Sequence, residues 1–379
     1  MYLTEEHALI RSTIRDFAQG EIKPLARELD EKAEFSVELT KKMGKLGLLG
    51  MTIPEKYGGQ GYDYLSYIIA VEELARVDGS QAATVAAHNS LGLGPLYYFG
   101  TEEQKKKYLP GLCCGEGLWA FGLTEPEAGS DSRGTRSTAK LTGEGWIING
   151  SKIFITNASS AMAKGATVQV VTDKKGEEKE LSVIILEKGT PGYTQRPMHD
   201  KLMWRASDTA ELYFDNCTVP EGNLLGKRGD GAKIMLSTLD NGKLSIAAMG
   251  LGLAQGAFEM ALKYSQERQQ FGEPICKFQA TAFKLADMAM KVELARNLLY
   301  KACWLKDNGK PFGKESAMSK LYCSEVAAQV ADEAVQIHGG YGLMKEFDVE
   351  RFYRDQRLLR IGEGTSEIQR MVIARHIGC

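Results

Sequence analysis

Hydrophobic positions along the chain follow two different periods. Through about the first 110 residues they recur at helical spacing. Thr4 is placed to cap a helix whose first turn carries Glu5 and Glu6, and Ile10, Ile14, Phe17 and Ala18 follow at intervals of three to four. Ile53-Pro54-Glu55-Lys56-Tyr57-Gly58-Gly59 breaks that period as a loop, and helices are expected again near 63–77 and 102–109. Near residue 118 the pattern changes to short β-rich runs. Trp146 to Thr156 predicts a β-hairpin turning at Asn149-Gly150, with a type I′ turn between its two arms. Val168 to Thr172 and Leu181 to Leu186 predict two strands split by a charged turn at Asp173 to Glu180, and Leu212-Tyr213-Phe214 another. Such strands suggest a small antiparallel sandwich or barrel. From about 233 the helical period returns. Met288, Val292, Ala295 and Leu299 mark one helix face, and runs near 245–268, 281–307 and 314–338 are long enough for an antiparallel bundle. Helices, then strands, then helices is an α+β arrangement by segregation, not an alternating doubly wound sheet. The expected division is an N-terminal helical domain over 1–117, a middle antiparallel β domain over 118–232 and a C-terminal helical bundle over 233–379.

A length of 379 residues agrees with two or three domains at roughly 150 residues each. Glycine accounts for 41 residues, above the usual ~7%, while proline numbers only 10, so turns and close backbone approach to a ligand are expected rather than disorder. A net charge of −2 gives no long-range attraction to nucleic acid or to an anionic membrane. No uninterrupted apolar run reaches the roughly 18 residues of a membrane span, and Met1 to Glu6 has neither a basic region nor an apolar core, so no secretory leader is expected. Seven cysteines without C-x-x-C spacing, two of them adjacent at Cys113 and Cys114, suggest buried free thiols in a reducing cytoplasm. His7, His88, His199, His338 and His376 are scattered with no H-E-x-x-H, so no metal site is expected.

Four segments could carry chemistry. Phe121-Gly122-Leu123-Thr124-Glu125-Pro126-Glu127-Ala128-Gly129-Ser130-Asp131 packs two glycines and two hydroxyls at the helix-to-strand junction. It would suit a rigid loop offering N–H and hydroxyl groups to a polar ligand, and equally a plain connecting turn. Arg268-Gln269-Gln270-Phe271-Gly272 ends a long helix, and Arg268 could grip a phosphate or simply lie at the surface. Gln336-Ile337-His338-Gly339-Gly340-Tyr341-Gly342 ends another helix with clustered glycines. It reads as a left-handed cap at least as readily as a ligand loop, and no G-x-G-x-x-G follows a strand. Ile361-Gly362-Glu363-Gly364-Thr365-Ser366-Glu367-Ile368 sets a carboxylate between two glycines, where a substrate could approach it closely, with Thr365 or Ser366 free to cap the last helix. In an apolar cleft that carboxylate would have a raised pKa and serve as a general base; otherwise it is an exposed capping residue.

These segments, in this order on a helix–strand–helix chain, resemble the acyl-CoA dehydrogenase family of flavoenzymes. The motifs that carry the resemblance are T-E-P-x-A-G-S-D, I-T-N, R-x-x-F-G, Q-x-x-G-G and E-G-T-S-E-I-Q, and they span essentially the whole chain. The resemblance implies an N-terminal helical domain, a middle β domain and a C-terminal four-helix bundle, assembled as a homotetramer with one non-covalent FAD per subunit. It implies that Phe121, Leu123, Thr124 and Ser130 line the flavin, that Phe154 and Thr156 cover its ring, and that Ser130 also meets substrate. It implies that Arg268, Phe271, Gln279, Gln336, Gly339 and Gly340 hold the adenosine diphosphate half of a neighbour's FAD, and that Thr365 and Glu367 complete the cofactor site. Leu91, Asp240, Lys243 and Gly364 would meet the acyl-CoA. Glu363 matches the family's base, which removes the α-proton of the thioester while a β-hydride passes to flavin N5. The thioester oxygen is polarised by the Glu363 N–H and a ribityl hydroxyl, giving a trans-2-enoyl-CoA. Electrons would pass to an electron-transferring flavoprotein, and the metabolic setting would be fatty-acid metabolism.

Three positions depart from the family pattern. Phe154 stands where Trp is commoner, Lys243 where Arg is usual, and Gly362 where several members have an aromatic residue beside the base. Gly242 occupies the position at which some branched-chain members carry the base, so Glu363 stands alone as candidate. Small Gly242 and Gly362 would admit a short-chain, branched or alicyclic acyl group, and the chain looks closest to butyryl-type and short branched-chain members. The alternatives are an acyl-CoA oxidase of the same fold, passing electrons to oxygen, and a non-catalytic acyl-CoA-binding protein.

Overall fold

The computed structural model describes residues 3–379, Lys175 by its backbone alone; Met1 and Tyr2, part of the N-terminal stretch considered above, lie outside the described residues. The first helical region comprises α1 (Glu5–Phe17), α2 (Lys23–Lys32), α3 (Val37–Lys45), α4 (Tyr64–Ala75), α5 (Gly79–Ala86), α6 (Gly94–Phe99) and α7 (Glu102–Cys113). Thr4 caps α1 through a reciprocal box with His7, whose ring reaches Asp63 at 3.0 Å. Helix α4 is buried at every position, so it is the central strut of this region.

The sheet is built from β1 (Leu118–Gly122), β2 (Thr138–Thr142), β3 (Gly145–Thr156), β4 (Ala163–Lys175), β5 (Glu178–Glu187), β6 (Tyr193–Pro197), β7 (Thr209–Val219) and β8 (Leu224–Leu225), ordered β6-β7-β3-β2-β4-β5-β8 with β1 on β4. Along β5 the side chains sort by parity. Ile184 and Leu186 enter the core between strands with Trp146, Val168 and Phe214, while Val183 and Ile185 face the helices with Leu93, Leu112 and Ile234. Both faces of the sheet are therefore covered.

Three strand expectations are corrected. Asn149-Gly150 is not a hairpin turn: β3 runs through it as one strand, with a bulge against β7 between Ile148 and Gly150. Gly150 takes φ 136°, and a Cβ there would collide with the Ser137 side chain. The positive φ that Asn-Gly offers is used to bend a strand rather than to reverse it. The hairpin is made instead at Gly143-Glu144, between β2 and β3. The sheet is also not wholly antiparallel, since β1 and Thr138 of β2 pair with β4 in parallel. The charged stretch from Asp173 to Glu180 is mostly strand, with Asp173 facing Glu180 across the ladder.

The second helical region holds α8 (Gly231–Glu267), the short strands β9 (Gln269–Gln270) and β10 (Glu273–Pro274), α9 (Gln279–Asp307), α10 (Gly313–His338), α11 (Val349–Asp355) and α12 (Ser366–Ile377). Met288, Val292, Ala295 and Leu299 form the buried face of α9, as their spacing predicts. One continuous core joins Ile68 and Leu74 of α4 to Leu251 and Ala254 of α8 and Val330 of α10, welding the two helical regions together. Helix α8 is long and rich in apolar residues, though without an uninterrupted apolar run of 18. It contains an 18-residue window of mean hydropathy 1.2, sufficient by composition for a membrane span, but 78% of that window is buried inside the protein. The seven cysteines are free; Cys114 and Cys379 are exposed rather than buried.

Candidate active site

The turn between α11 and α12 carries Glu363. Its φ is +53°, a left-handed conformation uncommon outside glycine, and Gly364 follows at +91°. Three neighbours hold this turn. Thr365 caps α12 by accepting from the Ile368 N–H at 3.3 Å. The Gln369 amide donates to the Glu363 and Gly364 carbonyls, each at 3.1 Å. The ammonium of Lys320, a fully buried residue on α10, donates to the Gly364 carbonyl at 2.5 Å. As a residue Glu363 is half-buried, but its Oε2 is sealed from solvent and has no hydrogen-bond partner among the described residues. Burial raises this carboxyl to about 7, against the opposing pull of the Lys320 and Lys243 cations. Among the described residues no acceptor takes the Glu363 N–H. A base and a free donor therefore project from the same residue.

What faces the carboxylate is a glycine on α8. A Cβ built on Gly242 would overlap Glu363 Oε2 and lie 2.9 Å from both Glu363 Cδ and Leu91 Cδ2. Glu363, Gly242 and Leu91 are thus brought together from three elements. Around them, Lys243 pairs with Asp240 at 2.7 Å, the Tyr64 hydroxyl donates to the Asn241 carbonyl at 2.7 Å, and Ser245 donates to the Gly242 carbonyl at 2.8 Å.

The loop after β1 is tied to β3 by a buried pair that sequence reasoning did not single out. Lys152 is fully buried and donates to Glu125 at 2.7 Å and to the Leu123 carbonyl at 3.2 Å. Glu125 also accepts from the N–H groups of Arg136 and Ser137. Burial lowers the Lys152 ammonium to about 8. For Glu125, burial pushes upward, but the Lys152 cation and the backbone donors outweigh it and hold the carboxyl below its ordinary range. The Ile153 N–H donates to the Thr124 carbonyl at 2.9 Å, completing the tie. Phe121 and Leu123 are buried beneath this loop, and Ser130 is exposed on it. Next along β3 the ladder with β7 shifts register, and Phe154 stands out in a left-handed conformation with 63% of its surface exposed. The hydroxyls of Thr124, Ser130 and Thr156 make no hydrogen bond to any described residue. An exposed aromatic ring beside uncommitted hydroxyls on a rigid floor fits a flat heteroaromatic ligand.

A third group lies at the ends of α8 and α10. Arg268, His338, Gly339 and Gly340, with Tyr264 and Tyr341, line a cavity of about 500 Å³. A Cβ on Gly339 or Gly340 would meet nothing within 4 Å, so the backbone there is open to a ligand. Gln279 and Gln336 are exposed at neighbouring helix ends and do not line the cavity. Phe271 tips the β9–β10 hairpin with 97% of its surface exposed and touches Phe278 at an edge. Glu367 is exposed in the first turn of α12.

Charge alone hides Lys152, Glu125 and Lys320 in a sequence, because such residues are ordinarily at the surface. Lys320 did leave a signal. It shares a helical face with Ser316, Ala317, Cys323, Ser324 and Ala327, which are all small and all buried.

Three family descriptions match the chain: "Acyl-CoA dehydrogenase, N-terminal domain" over residues 4–116, "Acyl-CoA dehydrogenase, middle domain" over 120–217 and "Acyl-CoA dehydrogenase, C-terminal domain" over 229–378. A relative described as "Probable acyl-CoA dehydrogenase YngJ" of Bacillus subtilis (strain 168) is 50% identical, covering 99% of this chain and 98% of its own. The solved butyryl-CoA dehydrogenase of Megasphaera elsdenii is 44% identical with a TM-score of 0.96, covering 100% and 99%. A chain in the structure described as "Electron transferring flavoprotein of Acidaminococcus fermentans: Towards a mechanism of flavin-based electron bifurcation" is 46% identical with a TM-score of 0.97, again covering 100% and 99%. An acyl-CoA dehydrogenase of Bacillus anthracis complexed with FAD is 37% identical with a TM-score of 0.93, covering 99% and 67%.

Proposed function

The chain belongs to the acyl-CoA dehydrogenase family, FAD-dependent oxidoreductases acting on acyl-CoA, and we propose that Glu363 is its catalytic base for α,β-dehydrogenation of a short-chain acyl-CoA. The observation that carries this reading is the solvent-sealed, unpartnered Oε2 of Glu363 facing the bare backbone of Gly242. A buried carboxyl raised to about 7 is half ionised near neutrality and strong enough to take a proton made acidic by an adjacent thioester. The free Glu363 N–H is positioned to donate to the thioester oxygen, so the residue that removes the α-proton also steadies the charge it leaves behind. Water excluded by Leu91 and the α8 backbone strengthens both interactions.

The chemistry FAD would supply when bound is that of a hydride acceptor for the β-carbon. Phe121, Leu123, Thr124, Ser130, Phe154 and Thr156 would hold its ring system, and the free hydroxyls and exposed Phe154 fit that role. Arg268, Gly339 and Gly340 would hold a pyrophosphate-bearing half in their cavity, aided by Phe271, Gln279, Gln336, Thr365 and Glu367. A nearly bare phenylalanine on a projecting hairpin is costly in an isolated subunit. It supports a homotetramer in which Phe271 crosses to a neighbour's cofactor. Asp240, Lys243 and Gly364 lie around the base where the thioester end of the substrate would enter.

The short-chain assignment follows the butyryl-CoA dehydrogenase relative, and an electron-transferring flavoprotein as acceptor follows the flavoprotein structure in which a similar chain occurs. Anaerobic bleaching of the bound flavin by straight, branched and cyclic acyl-CoAs tests reaction and substrate together. Fastest bleaching by a four-carbon or short branched thioester is expected, with Glu363→Gln slowed by several orders of magnitude. Near-normal bleaching in that variant would refute the base assignment. Turnover with oxygen outpacing turnover with electron-transferring flavoprotein would place the enzyme among oxidases.

A further inference from the structure

The Glu363 turn is held by a charge as well as by hydrogen bonds. Lys320 comes from the middle of α10, is fully buried, and ends on the Gly364 carbonyl, one residue beyond Glu363. A buried ammonium is costly unless paired, and no carboxylate lies within ion-pair distance of it among the described residues. Its hydrogen bond to a neutral carbonyl leaves its charge uncompensated by any ion pair, and that charge acts on the Glu363 carboxyl. We propose that Lys320 is a positioning residue for the catalytic base: its ammonium locks the left-handed Glu363–Gly364 turn and supplies the positive field that lets the Glu363 carboxyl ionise away from water.

This rests on Glu363 being the base. The charged and titratable groups around it come from each packed element. Lys243, partnered by Asp240, faces it from α8; Lys320 from α10; and the Tyr64 and Tyr67 phenols, both raised by burial, from α4. Glu325 and Glu367 act on Lys320 from farther away. Lys243 is the weaker source of field at Glu363, because Asp240 neutralises it at 2.7 Å. Burial lowers the Lys320 ammonium to about 8, so it is still protonated while Glu363 titrates near 7. Gln369 holds the Gly364 carbonyl as well, and that of Glu363, without charge, which lets clip and field be separated by mutation.

The test is an infrared pH titration of the Glu363 carboxyl in the FAD-bound enzyme, its band identified by its loss in Glu363→Gln, alongside the pH profile of flavin reduction. Lys320→Gln keeps a side-chain donor for the Gly364 carbonyl and removes the charge. Its carboxyl midpoint is expected to rise by about one pH unit. Flavin reduction should fall about tenfold on the acid side and recover at high pH. Lys320→Arg should restore the wild-type midpoint. Gln369→Met should slow reduction at every pH without moving the midpoint, as loss of the clip alone implies. An unmoved midpoint in Lys320→Gln overturns the proposal, as does an equal shift in Lys320→Arg. Normal flavin reduction in Glu363→Gln would instead remove the base reading beneath it.

Discussion

Gly242→Ala separates the fold from the chemistry by a single methyl group. The added Cβ would sit 2.9 Å from Glu363 Cδ and 2.9 Å from Leu91 Cδ2, where ordinary contact begins at 3.4 Å, and it would overlap Oε2 outright. The α8 backbone is fixed by its own hydrogen bonds and by packing against α4 and α10, so the carboxylate is the part that yields. Restoring contact requires about 0.5 Å of movement at Cδ and on the order of 1 Å at Oε2, and a displacement of that size in a reacting group costs roughly 10²-fold in rate. Stability should change little. Replacing an interior helical glycine by alanine gains up to ~1 kcal/mol, and pressing a methyl against Leu91 costs a comparable amount. The assay is stopped-flow flavin reduction by saturating butyryl-CoA under anaerobic conditions, with acyl-CoA binding and thermal unfolding measured in parallel. A variant with wild-type stability and FAD content but roughly hundredfold slower reduction is expected. A rate within about threefold of wild type would show that the carboxylate does not work from the place where the structure puts it.

The other predictions address the surroundings of that site. Glu363→Gln should unfold at a higher temperature than wild type at pH 8. The folded-state pKa is raised from 4.5 to about 7, so the native protein binds more protons than the unfolded chain between those values, and stability is lost as pH rises through them. Discounting for the exposed part of this half-buried residue, the gain is on the order of 1–2 kcal/mol, and scanning calorimetry should find it absent at pH 4. Lys152→Met strands Glu125 as a buried carboxylate with only backbone donors. A loss of about 3 kcal/mol, the lower end for breaking such a pair, should appear in denaturant unfolding. Unchanged stability would mean the pair is not buried in solution. Phe271→Ala removes a side chain whose one aromatic contact is Phe278, so the unfolding of the isolated subunit should not move. FAD affinity, read by fluorescence titration, should fall at least tenfold together with the tetramer fraction in sedimentation. Retention of both would exclude a role for the hairpin between subunits.

Much of the architecture was legible because each region keeps one hydrophobic period throughout. The α9 face at Met288, Val292, Ala295 and Leu299 is buried as its spacing predicts, and the parity of β5 sends Ile184 and Val183 to opposite sides of the sheet. The strand reading failed at Asn149-Gly150 because positive φ serves a bulge as well as a turn, and only the partner strand β7 decides between them. Glu363 could be singled out from its two flanking glycines, but nothing local distinguishes an exposed cap from a buried base. The deciding atoms belong to Gly242 and Leu91, which are remote in sequence. Lys152 and Lys320 were hidden for a related reason. A lysine becomes a structural element only when a specific acceptor meets it inside, and the acceptors here are a carboxylate and a carbonyl contributed by other segments.

The strain at Glu363 has a use that neither its charge nor its burial explains alone. A non-glycine residue at φ +53° costs of order 1 kcal/mol or more, and three separate groups, Lys320, Gln369 and Thr365, are committed to holding it there. In a right-handed conformation the Glu363 N–H could bond the carbonyl four residues before it, as in a continuing helix. In the left-handed turn the helix starts beyond Glu363, its cap is supplied by Thr365, and the Glu363 N–H is left without an acceptor beside the carboxylate. The proposed base and oxyanion donor would then be fixed to one Cα and could not drift apart. That arrangement works only if the opposite wall has no side chain, which is the condition Gly242 meets.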